Sequence, residues 1–305
     1  MLIQSIFALS LLAAPQDAPA AAPTLTPEGQ AIETAIQAYA GKNNDERREV
    51  VVSQLRAQGF APELAPFEGG NPRTGPRAGA NVVITIGEGA KDIVLTGHFD
   101  AVPLADGTMS QGVIDNAGSV VALIEIAGLV KEQVEQTPGP FRYVFVFTDQ
   151  EELGLIGARK WLEAQDKTRI AAVVNMDVNG YGETLMYGEN VGEHSAFVLR
   201  AMRTQCAEMA FDCVAFPMYP PSDDRVFSAA GVPVISIGSQ DAVGAHQMWL
   251  AFNGGQSNGL AEGFVPPVFQ RIHSAQDTTE WVEGDDVLRT ARFIADLALR
   301  LARDE

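Results

Sequence analysis

The feature that most constrains the fold is a regular alternation of apolar strands with helical stretches. Five segments have the β-branched, apolar composition of buried strands: ANVVITIGE, KDIVLTGHFD, RYVFVFTD, IAAVVNMDVNG and VPVISIGS. Between them lie the helical stretches NAGSVVALIEIAGLVKEQV, ELGLIGARKWLEAQ and EHSAFVLRAMRTQCAEMAF. Strands that alternate with helices of this length predict an α/β fold, with a mostly parallel central sheet sandwiched between helix layers.

The chain is long enough for such a domain to bury a full core. It has 305 residues, of which 46% are hydrophobic and 20% charged, and these values suit a single α/β domain. Before the first predicted strand, TPEGQAIETAIQAYAG and NNDERREVVVSQLRAQGF begin with capping-type residues and predict two helices. The final segment, DDVLRTARFIADLALRLARDE, has an apolar stripe that predicts a helix packed on one sheet face.

The net charge limits the partners of the protein. The formal charge is -18 at pH 7, from 39 acidic and 21 basic residues. A basic surface for nucleic acid or for an anionic membrane cannot be assembled from this composition, so neither is expected as a partner. Cationic ligands, including metal ions, suit the charge better.

The amino terminus has the pattern of a secretory signal peptide. An apolar run from Ile6 to Ala14, too short to span a bilayer, is followed by small residues and prolines. The first basic residue is Lys42, so the usual positive start is missing apart from the terminal amine. We predict a signal peptide over residues 1–20, with cleavage after Ala20. The mature protein, residues 21–305, is then expected to be soluble and exported, either periplasmic or secreted.

The cysteine content is compatible with export. Cys206 and Cys213 lie seven positions apart, and a disulfide would close a small loop if the chain turns between them. Two buried free thiols explain the same sequence equally well. Neither cysteine is placed like a nucleophile.

Two adjacent glutamates stand where an apolar strand ends. Glu151 and Glu152 follow the strand in FRYVFVF and precede a helical pattern. The two carboxylates repel each other, and a fold that keeps both near its core usually supplies a cation. Taken alone, they are more typical of a loop or a first helical turn, where acidic side chains complement the helix dipole.

Other residue types that bind metals lie at neighbouring strand ends, where open α/β sheets place their ligand crevice. His98 and Asp177 each end a predicted strand, while Asp115 and His273 lie in loops that can reach the same rim. Asp100, two positions after His98, is typical of a carboxylate that orients a metal-bound imidazole. Two imidazoles with several carboxylates and no cysteine are the ligand set expected of Zn²⁺ or a similar cation. A carboxylate beside such ligands is a natural general base.

Six motifs in order carry a family resemblance: GHFDAVP, GVIDNAGS, TDQEELGLIGARKW, NMDVNG, PSDDRVFSAAGVPVISI and HSAQDTTE. Together they closely resemble the M28 family of zinc metallopeptidases, which includes bacterial secreted aminopeptidases. The resemblance runs from about Asn81 to the carboxyl terminus. It implies a single zinc-exopeptidase domain that removes N-terminal residues from peptides.

The resemblance also implies which residues hold the metal. Asp115 would bridge two zinc ions. His98 and Asp177 would complete one site, and Glu152 and His273 would complete the other. The implied cofactor is therefore a pair of zinc ions for each chain.

Further roles follow from the same resemblance. Glu151 would act as the general base, and Asp100 would orient His98. Tyr219, three positions before the SDD motif, would donate to the oxyanion of the tetrahedral intermediate. An ordinary loop tyrosine is an equal alternative for that residue.

One motif departs from the family pattern. Ser222 and Asp223 match it, but Asp224 stands where a histidine often follows. The role of this motif is therefore left open.

Three alternative functions compete with aminopeptidase activity. The M20 carboxypeptidases and deacylases normally carry a lid domain between the aspartate and the final histidine that correspond to Asp177 and His273. Only 96 positions separate these residues here (273 - 177), and SDDRVFSAAGVPV lies between them, so no lid domain of useful size fits. Glutaminyl cyclases share the M28 fold but work with one zinc ion, and EELGLIGARKWL looks more like the hydrolases. A binding protein on an inactive peptidase scaffold is the third alternative, although all six motif positions are retained.

The remaining histidines and two arginines carry weaker signals. His194 is expected to be exposed, and His246 lies in a predicted loop that would line a pocket with Met248 and Trp249 as an alternative to a surface role. A carboxypeptidase would need a positioned cation, for which Arg225 and Arg271 are the candidates. The segment from Ser239 to Pro267 is rich in Ala, Gly and Pro and is interpreted as a long loop region.

Overall fold

Eight strands form one mixed sheet in the computed structural model, which describes residues 25–304. In chain order the strands are β1 (Glu63–Asn71), β2 (Gly75–Ile86), β3 (Lys91–His98), β4 (Phe141–Thr148), β5 (Ile170–Met176), β6 (Thr184–Gly188), β7 (Cys213–Phe216) and β8 (Val234–Gln240). The α-helices of this part of the chain are α1 (Pro27–Gln37), α2 (Asn44–Ala57), α3 (Gly118–Gln136), α4 (Ile156–Glu163), α5 (Ala196–Glu208), α6 (Asp224–Ala229), α7 (Ala242–Asn253), α8 (Pro267–Arg271) and α9 (Gly284–Asp304).

The sheet has a parallel centre with antiparallel strands added on both sides. Its order is β1-β2-β4-β3-β5-β8-β6-β7. The neighbours β4, β3, β5 and β8 are parallel, whereas β2 runs antiparallel to β4 and β6 runs antiparallel to β8. The predicted α/β fold with a mostly parallel sheet is confirmed. Parallel strands of this kind are covered on both faces, which explains their nearly continuous apolar sequences.

Helices cover the sheet in two layers. In one layer α9 packs against α1, α3 and α5, and α3 also contacts the central strands. In the other, α4 and α6 contact each other and the strands beneath them. The stretch Val113–Gln136 is long and apolar enough to cross a membrane, but most of it is buried inside the domain. It is therefore explained as a core helix.

The predicted amino-terminal helices form, and their caps are those the sequence indicates. The hydroxyl of Thr26 accepts the amide of Gly29 over 3.0 Å at the start of α1. A reciprocal capping box between Asn43 and Glu46 starts α2. The predicted stripe on α9 is also present, because Val287, Ala291, Ile294, Ala298 and Leu301 are all buried.

Several elements differ from the sequence-based expectation. The strand β1 was not predicted, nor were the short strands β6 and β7. The segment between Ser239 and Pro267 is not one long loop, because α7 occupies 12 residues of it. The physical reason is that Asp241 caps the helix by accepting the amide of Gly244 over 2.9 Å.

The predicted signal peptide lies outside the described residues. Export and the division into residues 1–20 and 21–305 therefore remain predictions.

Candidate metal centre and active site

The carboxyl ends of the central strands meet at one edge of the sheet. The parallel register pairs His98 of β3 with Thr148 of β4, and Thr96 of β3 with Asn175 of β5. His98 is the last residue of its strand, and Asp177 follows the last residue of β5. As a result, Nε2 of His98 lies 3.6 Å from Oδ1 of Asp177.

Asp115 lies between the two predicted histidine ligands. Its Oδ1 is 3.0 Å from Nε2 of His98, and its Oδ2 is 3.0 Å from Nε2 of His273. The two oxygens of one carboxylate therefore face different imidazoles. This is the arrangement that a carboxylate shared between two cations requires.

The backbone that carries Asp115 is held by a second carboxylate. Asp277, which is fully buried, accepts the amides of Val113 at 2.9 Å and Ile114 at 2.6 Å, and the amide of Asp115 itself at 3.4 Å. Asp277 lies in the HSAQDTTE motif but received no role from the sequence. Its spacing of four positions from His273 was the available signal.

The predicted ligands form two groups that share Asp115. In the first, His98, Asp115 and Asp177 each offer a ligand atom within 4.8 Å of the others. In the second, Asp115, Glu152 and His273 do the same, with Nε2 of His273 3.0 Å from Oε1 of Glu152. The structure thus brings together all five residues that were predicted as metal ligands.

The chemistry of these groups fits a divalent cation such as zinc. Oδ1 of Asp115, Oε1 of Glu152 and Oδ1 of Asp177 are buried beside an imidazole nitrogen but make no well-formed hydrogen bond, a costly state that a cation would relieve. The donors are imidazole nitrogens and carboxylate oxygens, which suit zinc.

The electrostatics of the group indicate a shortage of positive charge. The carboxylates of Asp115 and Glu152 raise the pKa of His273 to about 11, despite partial burial. Burial opposes ionisation of Asp115, but the imidazoles of His273 and His98 hold its pKa below the usual range. Protonated imidazoles thus stand in for the positive charge that a metal ion would bring.

The two glutamates lie in a turn between β4 and α4 that is fixed by Asp100. The buried carboxylate of Asp100 accepts the amide of Glu151 at 3.0 Å and the amide of Glu152 at 3.2 Å. Its Oδ1 also lies 3.4 Å from Nδ1 of His98. Asp100 therefore contacts both the histidine and the turn that carries the glutamates.

The two glutamates face different surroundings. Burial raises the pKa of Glu151 well above its ordinary value, and the carboxylates of Asp223 and Asp177 add to the rise. Burial and the charge of Asp115 raise the pKa of Glu152 to about 7. Glu152 contacts His273, whereas Glu151 belongs to neither group that shares Asp115 and lies instead in a third group of possible ligands with His98 and Glu152.

A cavity of about 310 Å³ opens beside the ligand groups. Tyr219, which is only 8% exposed, lines the cavity together with Glu151 and Asp177. Its backbone is held by Asn190 and by the guanidinium of Arg225, which donates to the Tyr219 carbonyl over 2.8 Å. The apolar part of the lining is formed by Met186, Met248, Val268, Phe269 and Ile272.

Comparison with known families agrees with this geometry. The model of the family described as "Peptidase family M28" matches residues 81–298, which is more than half of the chain. This chain belongs to peptidase family M28. Family membership and the fold together support a metallopeptidase with zinc as its metal.

Two characterised relatives match the M28 domain over part of their length. The chain is 25% identical over 216 residues to the alkaline phosphatase isozyme conversion protein of Escherichia coli, covering 63% of this chain and 58% of that protein. It is 30% identical over 110 residues to a vacuolar membrane protease of Yarrowia lipolytica, covering 34% of this chain and 10% of the other. The chain therefore spans less than two thirds of both relatives.

Solved structures share the fold over nearly the whole chain. A zinc aminopeptidase from Bacillus subtilis gives a TM-score of 0.68 at 13% identity, covering 91% of this chain and 95% of the other. A Zn-dependent exopeptidase from Parabacteroides distasonis gives 0.66 at 14% identity, covering 91% and 99%. A glutaminyl cyclase from Porphyromonas gingivalis gives 0.64 at 16% identity, covering 88% and 94%.

The motif that departs from the M28 pattern has a structural explanation. Asp224 is buried and accepts the amide of Ser222 over 2.9 Å, so it closes the turn at the start of α6. Asp223, also buried, accepts the hydroxyl of Thr148 at 2.6 Å. Ser222 lines the cavity beside the ligand groups, whereas Asp223 and Asp224 do not belong to its lining.

Other residues considered from the sequence lie away from the M28 site. His194 is exposed as expected, and His246 is an exposed residue of α7 whose Nδ1 lies 2.7 Å from the Ala242 carbonyl. The loop expected around His246 is therefore a helix, although Met248 does line the cavity. The guanidinium of Arg271 stacks on the Trp281 ring at 3.8 Å.

The question of the cysteines is answered by a disulfide. Cys206 of α5 is bonded to Cys213, the first residue of β7, with 6.2 Å between their Cα atoms. It joins the end of α5 to β7, at the end of that strand remote from Tyr219.

Proposed function

We propose that this protein is an aminopeptidase that uses two zinc ions to hydrolyse the N-terminal residue from peptides. The observation that carries the proposal is the placement of Asp115, whose two oxygens each lie 3.0 Å from a different imidazole. A site for one metal ion would need only one of the two ligand groups that share Asp115.

The ligands divide between the two ions as follows. His98 and Asp177 would hold one ion, Glu152 and His273 would hold the other, and Asp115 would contribute an oxygen to each. Zinc, when bound, supplies a Lewis acid that polarises a carbonyl oxygen and lowers the pKa of water toward neutrality.

Glu151 is the general base of the proposed reaction. It lines the cavity beside the ligand groups, and a carboxylate in this position can accept a proton and give it back. It takes the proton from the attacking water and returns it to the leaving amine. Asp100 positions Glu151 through the backbone amide and orients His98.

Tyr219 is placed to stabilise the developing oxyanion. It lines the same cavity as Glu151, and burial is the main cause that raises its pKa above the ordinary value. The hydroxyl therefore keeps its proton at neutral pH and can donate a hydrogen bond to an oxygen that gains charge.

The cavity favours a free amino terminus over a free carboxylate. Glu151 and Asp177 supply negative charge, and no Lys or Arg belongs to the lining among the described residues. Arg225 and Arg271, the candidates for a carboxypeptidase, donate to backbone carbonyls instead. The apolar wall is suited to an apolar side chain on the N-terminal residue.

A glutaminyl cyclase is the second candidate, because the fold is shared with one from Porphyromonas gingivalis. Such an enzyme closes an N-terminal glutamine without using water. The two complete ligand groups around Asp115 favour hydrolysis.

The test is hydrolysis of aminoacyl p-nitroanilides by the zinc-loaded protein, with N-terminal glutamine peptides and carboxyl-terminal dipeptides assayed in parallel. We expect cleavage of apolar aminoacyl anilides that is lost on chelation and in Glu151→Gln. Cyclisation of glutamine without anilide cleavage would favour the second candidate. Zinc binding with no turnover of any substrate would favour a binding protein on this scaffold.

A further inference from the structure

The segment between His98 and Asp115 is held from one side by a fully buried arginine of α2. Arg47 donates through Nε to the carbonyl of Phe99, through Nη1 to Gln111 at 3.0 Å, and through Nη2 to Gly112 at 2.8 Å. Nη1 also donates to the carbonyl of Tyr39 at 3.2 Å, at the end of the first helical region. Four backbone carbonyls thus converge on one guanidinium.

The opposite side of the same segment is held by Asp277. Its carboxylate accepts the amides that follow directly, from Val113 to Asp115. The peptide groups of this turn therefore direct carbonyls toward the cation of Arg47 and amides toward the anion of Asp277. The backbone that leads to Asp115 is therefore bound through its carbonyls by the cation of Arg47 and through its amides by the anion of Asp277.

We propose that Arg47 is a positioning residue of the metal centre, and that α2 helps to hold the metal ligands in place. Arg47 lies before residue 81, where the match to the M28 family begins. It contacts neither a metal ligand side chain nor the cavity. It acts through the backbone that fixes Phe99 next to His98 and Gly112 three residues before Asp115.

The neighbouring residue Asn44 supports this role for α2. Its side chain is buried, its Oδ1 accepts the amide of Ala101 at 3.4 Å, and its Nδ2 donates to Asp149 at 3.4 Å. The first turn of α2 therefore contacts the segments that follow both β3 and β4. Both segments carry proposed site residues.

The experiment is the affinity of the full-length protein for zinc, measured by competition with a chromophoric chelator in the absence of substrate. Arg47→Met removes the hydrogen-bond donors of the guanidinium. Arg47→Lys keeps the positive charge but lacks the planar set of N–H donors. We expect the zinc Kd to rise about 10–100-fold in Arg47→Met, the range typical of residues that support metal ligands. Arg47→Lys should fall between that variant and the wild type.

The control is Arg142→Met, which removes a bidentate contact to Asp92 near the amino ends of β3 and β4. It should lower the Tm of the zinc-free protein yet leave the zinc Kd within about twofold of the wild type, because the metal ligands lie at the other strand ends. The proposal is overturned if Arg47→Met has the same zinc Kd as the wild type. It is also overturned if Arg142→Met loses as much zinc affinity as Arg47→Met.

A pair of glycine variants provides a second test that leaves Arg47 in place. A Cβ at Gly112 would lie 2.8 Å from Nη1 of Arg47 and 2.9 Å from the Cβ of Ala101, on the segment that Arg47 and Asn44 hold, whereas a Cβ at Gly107 meets nothing within 4 Å. Both glycines have positive φ, 58° and 87°, so both alanine variants carry backbone strain. We expect only Gly112→Ala to weaken zinc binding, and equal effects of the two variants overturn the proposal.

The inference rests on the zinc site of the proposed function but not on its substrate. A wild-type protein that binds zinc and cleaves no peptide contradicts the aminopeptidase proposal alone. A wild-type protein that binds no zinc contradicts both.

Discussion

The carboxylate of Asp100 accepts the backbone amide of Glu151 over 3.0 Å. The same side chain lies 3.4 Å from the imidazole of His98. One buried residue therefore sets the position of the proposed general base and of a proposed metal ligand, although the two belong to different strand ends. The spacing of functional groups in this site depends on such shared contacts.

Replacement of Asp100 by asparagine should impair catalysis more than folding. The two glutamate amides donate to different oxygens of Asp100, and in asparagine one of these positions becomes an NH2 group that cannot accept. We expect kcat to fall about 10–100-fold, the cost typical of supporting residues around metal ligands. Asp92→Asn is the matched control, since Asp92 is also a buried aspartate but lies near the start of β3 and binds Arg142 instead. Steady-state kinetics in which Asp100→Asn keeps the wild-type kcat would contradict the role.

Shortening Met248 should change the preference for the N-terminal side chain. Met248 is 3% exposed, lines the apolar wall and accepts a contact of 3.2 Å from the Gln240 amide. We expect Met248→Ala to raise the kcat/KM ratio of phenylalanyl over leucyl substrates by about tenfold, since one or two methylenes in a pocket have this effect. Met202→Ala, a fully buried methionine of α5 outside the cavity, should lower stability without changing the ratio. An unchanged ratio in Met248→Ala rules out this wall as the side-chain pocket.

Loss of the disulfide should destabilise the protein but leave its activity intact. The bond closes a short loop with a sequence separation of seven, for which the chain-entropy model gives about 2 kcal/mol. For a domain of this size we expect Tm to fall by about 4–8 °C in the double variant Cys206→Ser/Cys213→Ser. The kcat/KM at 25 °C should equal that of the wild type. A fall in activity at that temperature would mean that the bond supports the site.

A pH-dependent stability effect is expected at the start of α9. Burial, with repulsion from Glu283 and Glu183, raises the pKa of Asp286 to about 6. A carboxyl group with a raised folded-state pKa contributes stability below its unfolded pKa of about 3.9, and this contribution is lost as the pH rises through about 6.

Asp286→Asn should therefore unfold at a higher temperature than the wild type at pH 8, by about 1–2 °C because the residue is only half-buried. The difference should vanish near pH 4. Asp296→Asn, at an exposed residue of the same helix, controls for the change in net charge. A difference in Tm between Asp286→Asn and the wild type that is the same at every pH would contradict the raised pKa of Asp286.

The elements that the sequence predicted are those whose signal is local. The strands β3, β4, β5 and β8 have apolar sequences, and α9 has an apolar stripe. Each of these elements can therefore be recognised from its own residues. The five proposed metal ligands were assigned from the resemblance to the M28 family, and their position at the carboxyl ends of parallel strands and in nearby loops agrees with the general rule for α/β sheets. The strand pattern alone therefore places His98 and Asp177 together.

The elements that were missed depend on distant partners. β1 contains Pro66 and the pair Gly69–Gly70, which are poor strand formers, and it exists through its register with β2. Arg47 and Asp277 are ordinary charged residues in sequence. The carbonyls and amides that they bind around His98 and Asp115 lie 52 to 164 positions away, a relationship that no periodicity reveals.

The most direct test of the account is the number of zinc ions bound per chain, measured by elemental analysis after dialysis against dilute zinc. The wild type should hold about two ions, Asp115→Ala should hold fewer than one, and His273→Ala should keep about one, because His273 itself would bind one ion only. The matched exposed histidine variant His246→Ala should keep two. A wild-type protein that is fully active with one ion, or an Asp115→Ala protein that keeps two, would contradict a metal pair bridged by Asp115.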